Sequence, residues 1–232
     1  MVMNGKSTLP ALLSFNGGYV DTAGFLALQG LFTAHVTGNF VTIAAALAFG
    51  SSGVITKLLA LPVFCVVIIV VRLAFIRALT APAAALSRAL TLKLVLLVVA
   101  AALAVHFGPF ANADAWPGML TGLTLVAAMA IQNAVHRIHL SSAPPSTLMT
   151  GTTTQLMIDI ADSLGGLPPE KRAVTRARMR AMVVAMTSFA AGAALAAVLF
   201  NAFHTWCFVV APGVALLARL AARHGPLAQA AT

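Results

Sequence analysis

Four stretches, at about 54–76, 90–108, 178–200 and 203–221, consist almost wholly of Leu, Val, Ala, Ile and Phe. Each approaches the ~20 residues that a helix needs to cross a hydrocarbon core. Segments 9–30 and 117–138 are also long enough, although less purely apolar. With 60% apolar and 8% charged residues, and a mean hydropathy of +0.98, the chain lies outside the range of soluble domains. The expected fold class is an all-α integral membrane protein, one membrane domain over 1–232.

The remaining question is how many times the chain crosses. Two pieces, 33–49 and 146–164, each open on a hydroxyl-rich Thr-Gly pair and are short for a full span. If both cross, there are eight spans, and the fourteen Lys and Arg divide nine to five. If both turn back, six spans remain and thirteen basic residues share one face, with Lys57 opposite. The bias of Lys and Arg toward the cytoplasm favours the second arrangement. A half-helix starting at Thr150 reaches Asp159 after about 13 Å, close to half of a ~30 Å core, which lets that carboxylate emerge.

Thr37-Gly38 and Thr150-Gly151 are 113 residues apart in a chain of 232, so the halves read as an internal duplication, about 9–110 and 117–224. Three crossings per half turn the second copy upside down, which gives six transmembrane helices and two short re-entrant helices as inverted repeats. Both termini then lie in the cytoplasm. The polar stretch Pro168–Arg180 is expected to be a cytoplasmic loop, and the N-terminal run a first span and not a removed leader.

The residues that carry chemistry gather at the two Thr-Gly motifs. In the first half they are Asp21, Thr33, His35, Thr37, Gly38 and Asn39; in the second, Gln132, Asn133, Thr147, Thr150, Gly151 and Thr152. A helix start leaves about four N–H groups without intrahelical partners and carries partial positive charge. Two such starts meeting near the midplane would form a polar pocket for an anion or small polar solute. The alternative is that these hydroxyls only cap buried helix ends. Asp21, roughly 16 Å into the first span, is an ionisable group at membrane depth and therefore a functional candidate. Its alternative role is to brace the re-entrant piece through Thr37 or Asn39. His35 could gate or accept a proton, or stand idle at an aqueous mouth.

Other features carry less. Gly17-Gly18 would allow the first span to bend or a neighbour to pack closely. Gly118 and Gly122 have GxxxG spacing, which suggests helix packing and would allow a homodimer. Cys65 and Cys207 read as packing thiols, and no metal cluster, cofactor fingerprint or catalytic triad is present in the sequence. The net charge of +9 is that of a chain facing anionic lipid, so the lipid bilayer, and not nucleic acid, is the expected partner. The chain is not expected to be an enzyme; acid–base chemistry by Asp21 and His35 would require them within hydrogen-bond reach.

At Gly18-Tyr19-Val20-Asp21, Phe32-Thr33-Ala34-His35-Val36-Thr37-Gly38-Asn39, Gln132-Asn133-Ala134 and Thr150-Gly151, the sequence resembles the YoaK-like family of bacterial inner-membrane proteins. The resemblance covers essentially the whole chain and implies a multi-pass protein of about six spans in the bacterial plasma membrane. It carries no catalytic or binding residues across. The functional expectation from the residues is a small-solute transporter or facilitator, with a non-transporting scaffold or sensor as the alternative.

Overall fold

A computed structural model describes residues 5–77 and 81–223, without the side chains of 5–7. The expectations placed on both termini and on the repeat boundary at 224 lie outside the described residues. Among the described residues eight α-helices follow in order: α1 Gly5–Ala27, α2 Asn39–Phe49, α3 Val54–Arg77, α4 Pro82–Phe107, α5 Trp116–His139, α6 Met149–Leu164, α7 Pro169–Phe203 and α8 Val210–Arg223. Short 3-10 turns at Val36–Gly38 and His204–Val209 lead into α2 and α8. Among the described residues there is no strand.

Local chemistry explains the boundaries. Proline occupies the first turn of α4, α5 and α7, where its missing N–H has no intrahelical use. α2 stops at Gly50, whose φ of +67° is one a side chain would resist, and Ser51 N closes the end on Ala46 O. The charged stretch Pro168–Arg180 is not a loop: from Pro169 onward it is the first turns of α7. Glu170, Lys171, Arg172, Ala173, Arg176, Ala177 and Arg178 are mostly good helix formers, so a polar run reads as loop by hydropathy while favouring helix by backbone propensity. The connection shrinks to 165–168.

α3, α4, α5 and the continuous stretch Pro169–Arg223 are long and apolar enough to cross a membrane. α1 is not in that group; it is the most deeply packed element together with α5. Tyr19, Val20, Ala23, Leu28 and Leu31 join Leu125, Val126, Ala128 and Met129 in the larger of two apolar clusters. α3 instead turns Val66, Ile69, Val70 and Leu73 outward, all more than 40% exposed, as a lipid-facing helix should. The protein is thus an all-helical membrane protein.

Two ends of the molecule can be defined by side-chain contacts. At one, Gln29 Nε2 donates to Ala111 O and Ser52 Oγ to Gln29 Oε1, while Gly53 N and Thr56 N donate to the Asp114 carboxylate. The end of α1, the start of α3 and the α4–α5 loop are therefore tied together. The segment between Gln29 and Ser52 leaves that end and returns to it. At the other end, Leu9, Val71, Leu86, Val135 and Ala218 form the second apolar cluster, bringing together the start of α1 with the ends of α3, α5 and α8 and the start of α4.

α7 crosses α1 at backbone distance. A Cβ on Gly18 would lie 2.1 Å from Phe189 O, and one on Gly192 2.1 Å from Phe15 O. Gly17-Gly18 therefore serve close approach, and α1 remains helical through them. Gly118 and Gly122 also pack within the chain, against Ala113 and against Leu31, Leu28 and Thr56. The GxxxG pair thus serves helix packing within the chain, the first of its two expected roles.

Candidate functional site

The chain beyond α1 doubles back so that residues 32–35 lie beside the helix they have just left. Asp21, 4% exposed on α1, is the anchor. Its Oδ1 accepts Thr33 N and Ala34 N, both at 2.7 Å, and Thr33 Oγ1 at 3.3 Å. Its Oδ2 meets His35 Nδ1 at 2.5 Å. The brace expected through Thr37 or Asn39 is instead made by Thr33, Ala34 and His35. Asn39 ties the loop to itself: Phe32 N donates to Asn39 Oδ1 and Asn39 Nδ2 to Phe32 O, each at 2.8 Å.

The second half builds an analogous lock from uncharged groups. Thr147 Oγ1 donates to Asn133 Oδ1 at 2.8 Å, and these residues are 14 apart, as are Asp21 and His35. Asn133 therefore matches Asp21 and Thr147 matches His35, with amide and hydroxyl replacing carboxylate and imidazole. Gln132 Nε2 donates to Leu13 O at 2.9 Å and Ser146 Oγ at 3.1 Å, drawing the α5–α6 loop onto α1. A Cβ on Gly17 would stand 2.8 Å from Ser146 O, so the missing side chain is what lets that loop approach.

The two locks meet at His35. Its ring lies against the backbone of Thr147, and edge-on to Phe189 of α7 with centroids 5.7 Å apart. Asp21, Thr33, His35, Gln132, Asn133 and Thr147 are thus brought together. Thr37, Thr150 and Gly151 are on the exposed surface at the starts of the short helices. Gly38 packs on the Phe32 ring, and the Thr152 hydroxyl bonds back to Leu148 O.

Capping is not what the hydroxyls do. Neither α2 nor α6 has a side-chain cap on its first turn; Thr33 and Thr147 bond toward α1 and α5. Thr152, Thr153 and Thr154 instead bond to carbonyls four residues earlier on their own helix or its start.

Lys93 is the residue that sequence reasoning placed wrongly. Counted there among the basic residues of one face, it is 1% exposed in the interior, and its Nζ donates to Gln132 Oε1 at 2.5 Å. Its partner is uncharged, and neither ion pair among the described residues includes it. Nearby on α1, Ser14 Oγ and Asn16 Oδ1 are buried without a hydrogen-bond partner. The signal was a lysine within an apolar run whose i−4, i−3, i+4 and i+7 neighbours, Ala89, Leu90, Leu97 and Ala100, all face the core. Through Gln132 and Ser146, Lys93 is linked to the loop that carries Thr147 and thus to the Asp21–His35 pair.

Among the described residues no group of three or more His, Cys, Asp or Glu could hold a metal ion. Asp159, expected to emerge at an interface, receives two bonds from Arg178, at 2.7 and 2.6 Å, and one from Gln155 at 2.8 Å. Cys207 is buried and Cys65 exposed, both as free thiols.

Helices long enough to cross a bilayer, packed around buried polar locks, define a polytopic helical membrane protein. The chain belongs to the DUF1275 family, described as proteins of unknown function, whose model matches residues 9–221. It is 30% identical over 223 residues to the UPF0700 transmembrane protein YoaK of Bacillus subtilis (strain 168), covering 93% of this chain and 95% of that protein. No solved structure matches it.

Proposed function

We propose that this protein moves a small polar solute, of anionic character, across the bacterial plasma membrane, at a site where the loops that lead into α2 and α6 meet beside His35 and Thr147. In this reading α1, α3, α4, α5, α7 and α8 cross the bilayer and α2 and α6 are re-entrant, one from each face. The contact between Gln29 and Ser52 supports re-entry of the first piece. The antiparallel pairing of α6 with the start of α7, through Asp159–Arg178 and Ser163–Met179, supports it for the second. The packing of the halves supports inverted repeats: α1 packs on α7 as α5 packs on α3, and α2 on α3 as α6 on α7.

The observation that carries the functional reading is the uncapped start of α6, with Thr150 and Gly151 exposed, next to a loop held by a buried lysine network. Helix N–H groups favour negative charge. The Asp21 carboxylate does not oppose this, because both its oxygens already take donors from the protein. That saturation also argues against acid–base catalysis: the pair is within reach of each other, but the Asp21 side chain is only 5% exposed.

Flux into liposomes carrying purified protein tests the proposal, with chloride, nitrate, phosphate, small carboxylates and neutral or cationic controls. Anion flux above that of empty liposomes, reduced at least tenfold in Lys93→Met, is the expected result. No flux for any solute would overturn it.

The alternative is a scaffold or sensor in which the locks only fix helix registry, and the complete internal bonding of Asn39, Gln132 and Asn133 favours it. It requires Asp21→Asn to lower thermal stability while leaving every solute response unchanged.

A further inference from the structure

We propose that the recess between the α3–α4 hairpin and the end of α5 binds the headgroup of an acidic phospholipid. This rests on a different part of the molecule from the transport reading and stands or falls separately. The recess, about 310 Å³, is lined by Arg72, Phe75 and Ile76 of α3, Pro82 and Ala85 of α4, and Ile138 and His139 of α5. At ~30 Å³ per water it holds roughly ten waters, room for a glycerophosphate group but not for acyl chains.

Three features select the ligand. Arg72 and His139 bring two nitrogen-bearing groups from separate helices to one opening, and Arg72 is in neither ion pair among the described residues. α3, α4 and α5 contain no Asp or Glu at all, so nothing on the enclosing elements neutralises them. The remaining walls are apolar, and the outer face of α3 continues away from the recess through Leu73, Ile69 and Val66, all exposed. A phosphate between Arg72 and His139 with chains along that face satisfies both surfaces, whereas free phosphate would leave the apolar wall uncovered.

The experiment places purified protein in nanodiscs of phosphatidylcholine alone or with phosphatidylglycerol or cardiolipin, and reads lipids retained by native mass spectrometry together with the unfolding midpoint. The wild type is expected to retain acidic lipid and to unfold several degrees higher in its presence. Arg72→Gln loses one retained lipid and that shift, whereas Arg223→Gln, also a basic residue but not lining the recess, keeps both. Equal retention in Arg72→Gln, or equal retention of phosphatidylcholine by the wild type, overturns the site. A shift of the same size from millimolar glycerol phosphate in phosphatidylcholine alone overturns a lipid as its source. If Arg72→Gln does not fold, Ile76→Glu, at an exposed position on the rim, puts a carboxylate there and must also abolish retention; unchanged retention in it contradicts the proposal.

Discussion

Asp21 holds one loop at four points, and its charge matters most at the fourth. Asn at this position can still accept from Thr33 N and Ala34 N, but it loses the charge-assisted contact to His35. Bonds to charged groups are typically worth about 1.5–3 kcal/mol, so Asp21→Asn should destabilise by that order in a reversible unfolding measurement. Asn133→Leu, which removes the uncharged lock, should cost less, about 0.5–1.5 kcal/mol plus the burial of an unpaired Thr147 hydroxyl. Asp114 is a different case. Burial works against its carboxylate, but the N–H groups of Thr56 and Gly53 outweigh this and hold its pKa below the usual value. A depressed pKa means that its stabilisation is complete above the ordinary carboxylate range and is lost as pH falls below about 4. The unfolding midpoint should therefore drop on acidification through that window, and Asp114→Asn should flatten that part of the profile.

At the scale of elements, the crossing of α1 and α7 is the tightest constraint. Gly18→Ala places a methyl group against Phe189 O, which is backbone and cannot turn aside, so a loss of at least about 1–3 kcal/mol is expected, with Gly192→Ala equivalent. Gly151→Ala, with open space around it, should be close to neutral in thermal unfolding. The sequence made some of this legible and not the rest. Apolar runs located the long helices, because in lipid every backbone group must be satisfied internally and a long apolar stretch has no other solution. The Thr-Gly pairs located the starts of the short helices to within a residue or two. What hydropathy could not reveal was the direction in which side chains point. Thr33 and Thr147 bond back to the helix just left, and Lys93 turns inward and not toward a membrane face. Each depends on tertiary packing between segments far apart in sequence, which no local window contains. The same limit explains the misread stretch Pro168–Arg180, where polarity marked exposure and not irregular structure.

At the scale of the whole molecule, the proposed pathway requires the two short helices to return to opposite ends. Ser52 lies with Gln29 and Asp114 at one end, and the proposal puts Glu170, at the start of α7, toward the other. Both the proposed anion pathway and the role proposed for Lys93 depend on that arrangement. The direct test is single-cysteine labelling in sealed membrane vesicles, with Cys65 and Cys207 replaced and Ser52→Cys or Glu170→Cys introduced, using an impermeant maleimide from each side. The account requires the two positions to react from opposite faces. If both react from the same face, α6 crosses the membrane completely, and a central site between two re-entrant helices does not exist.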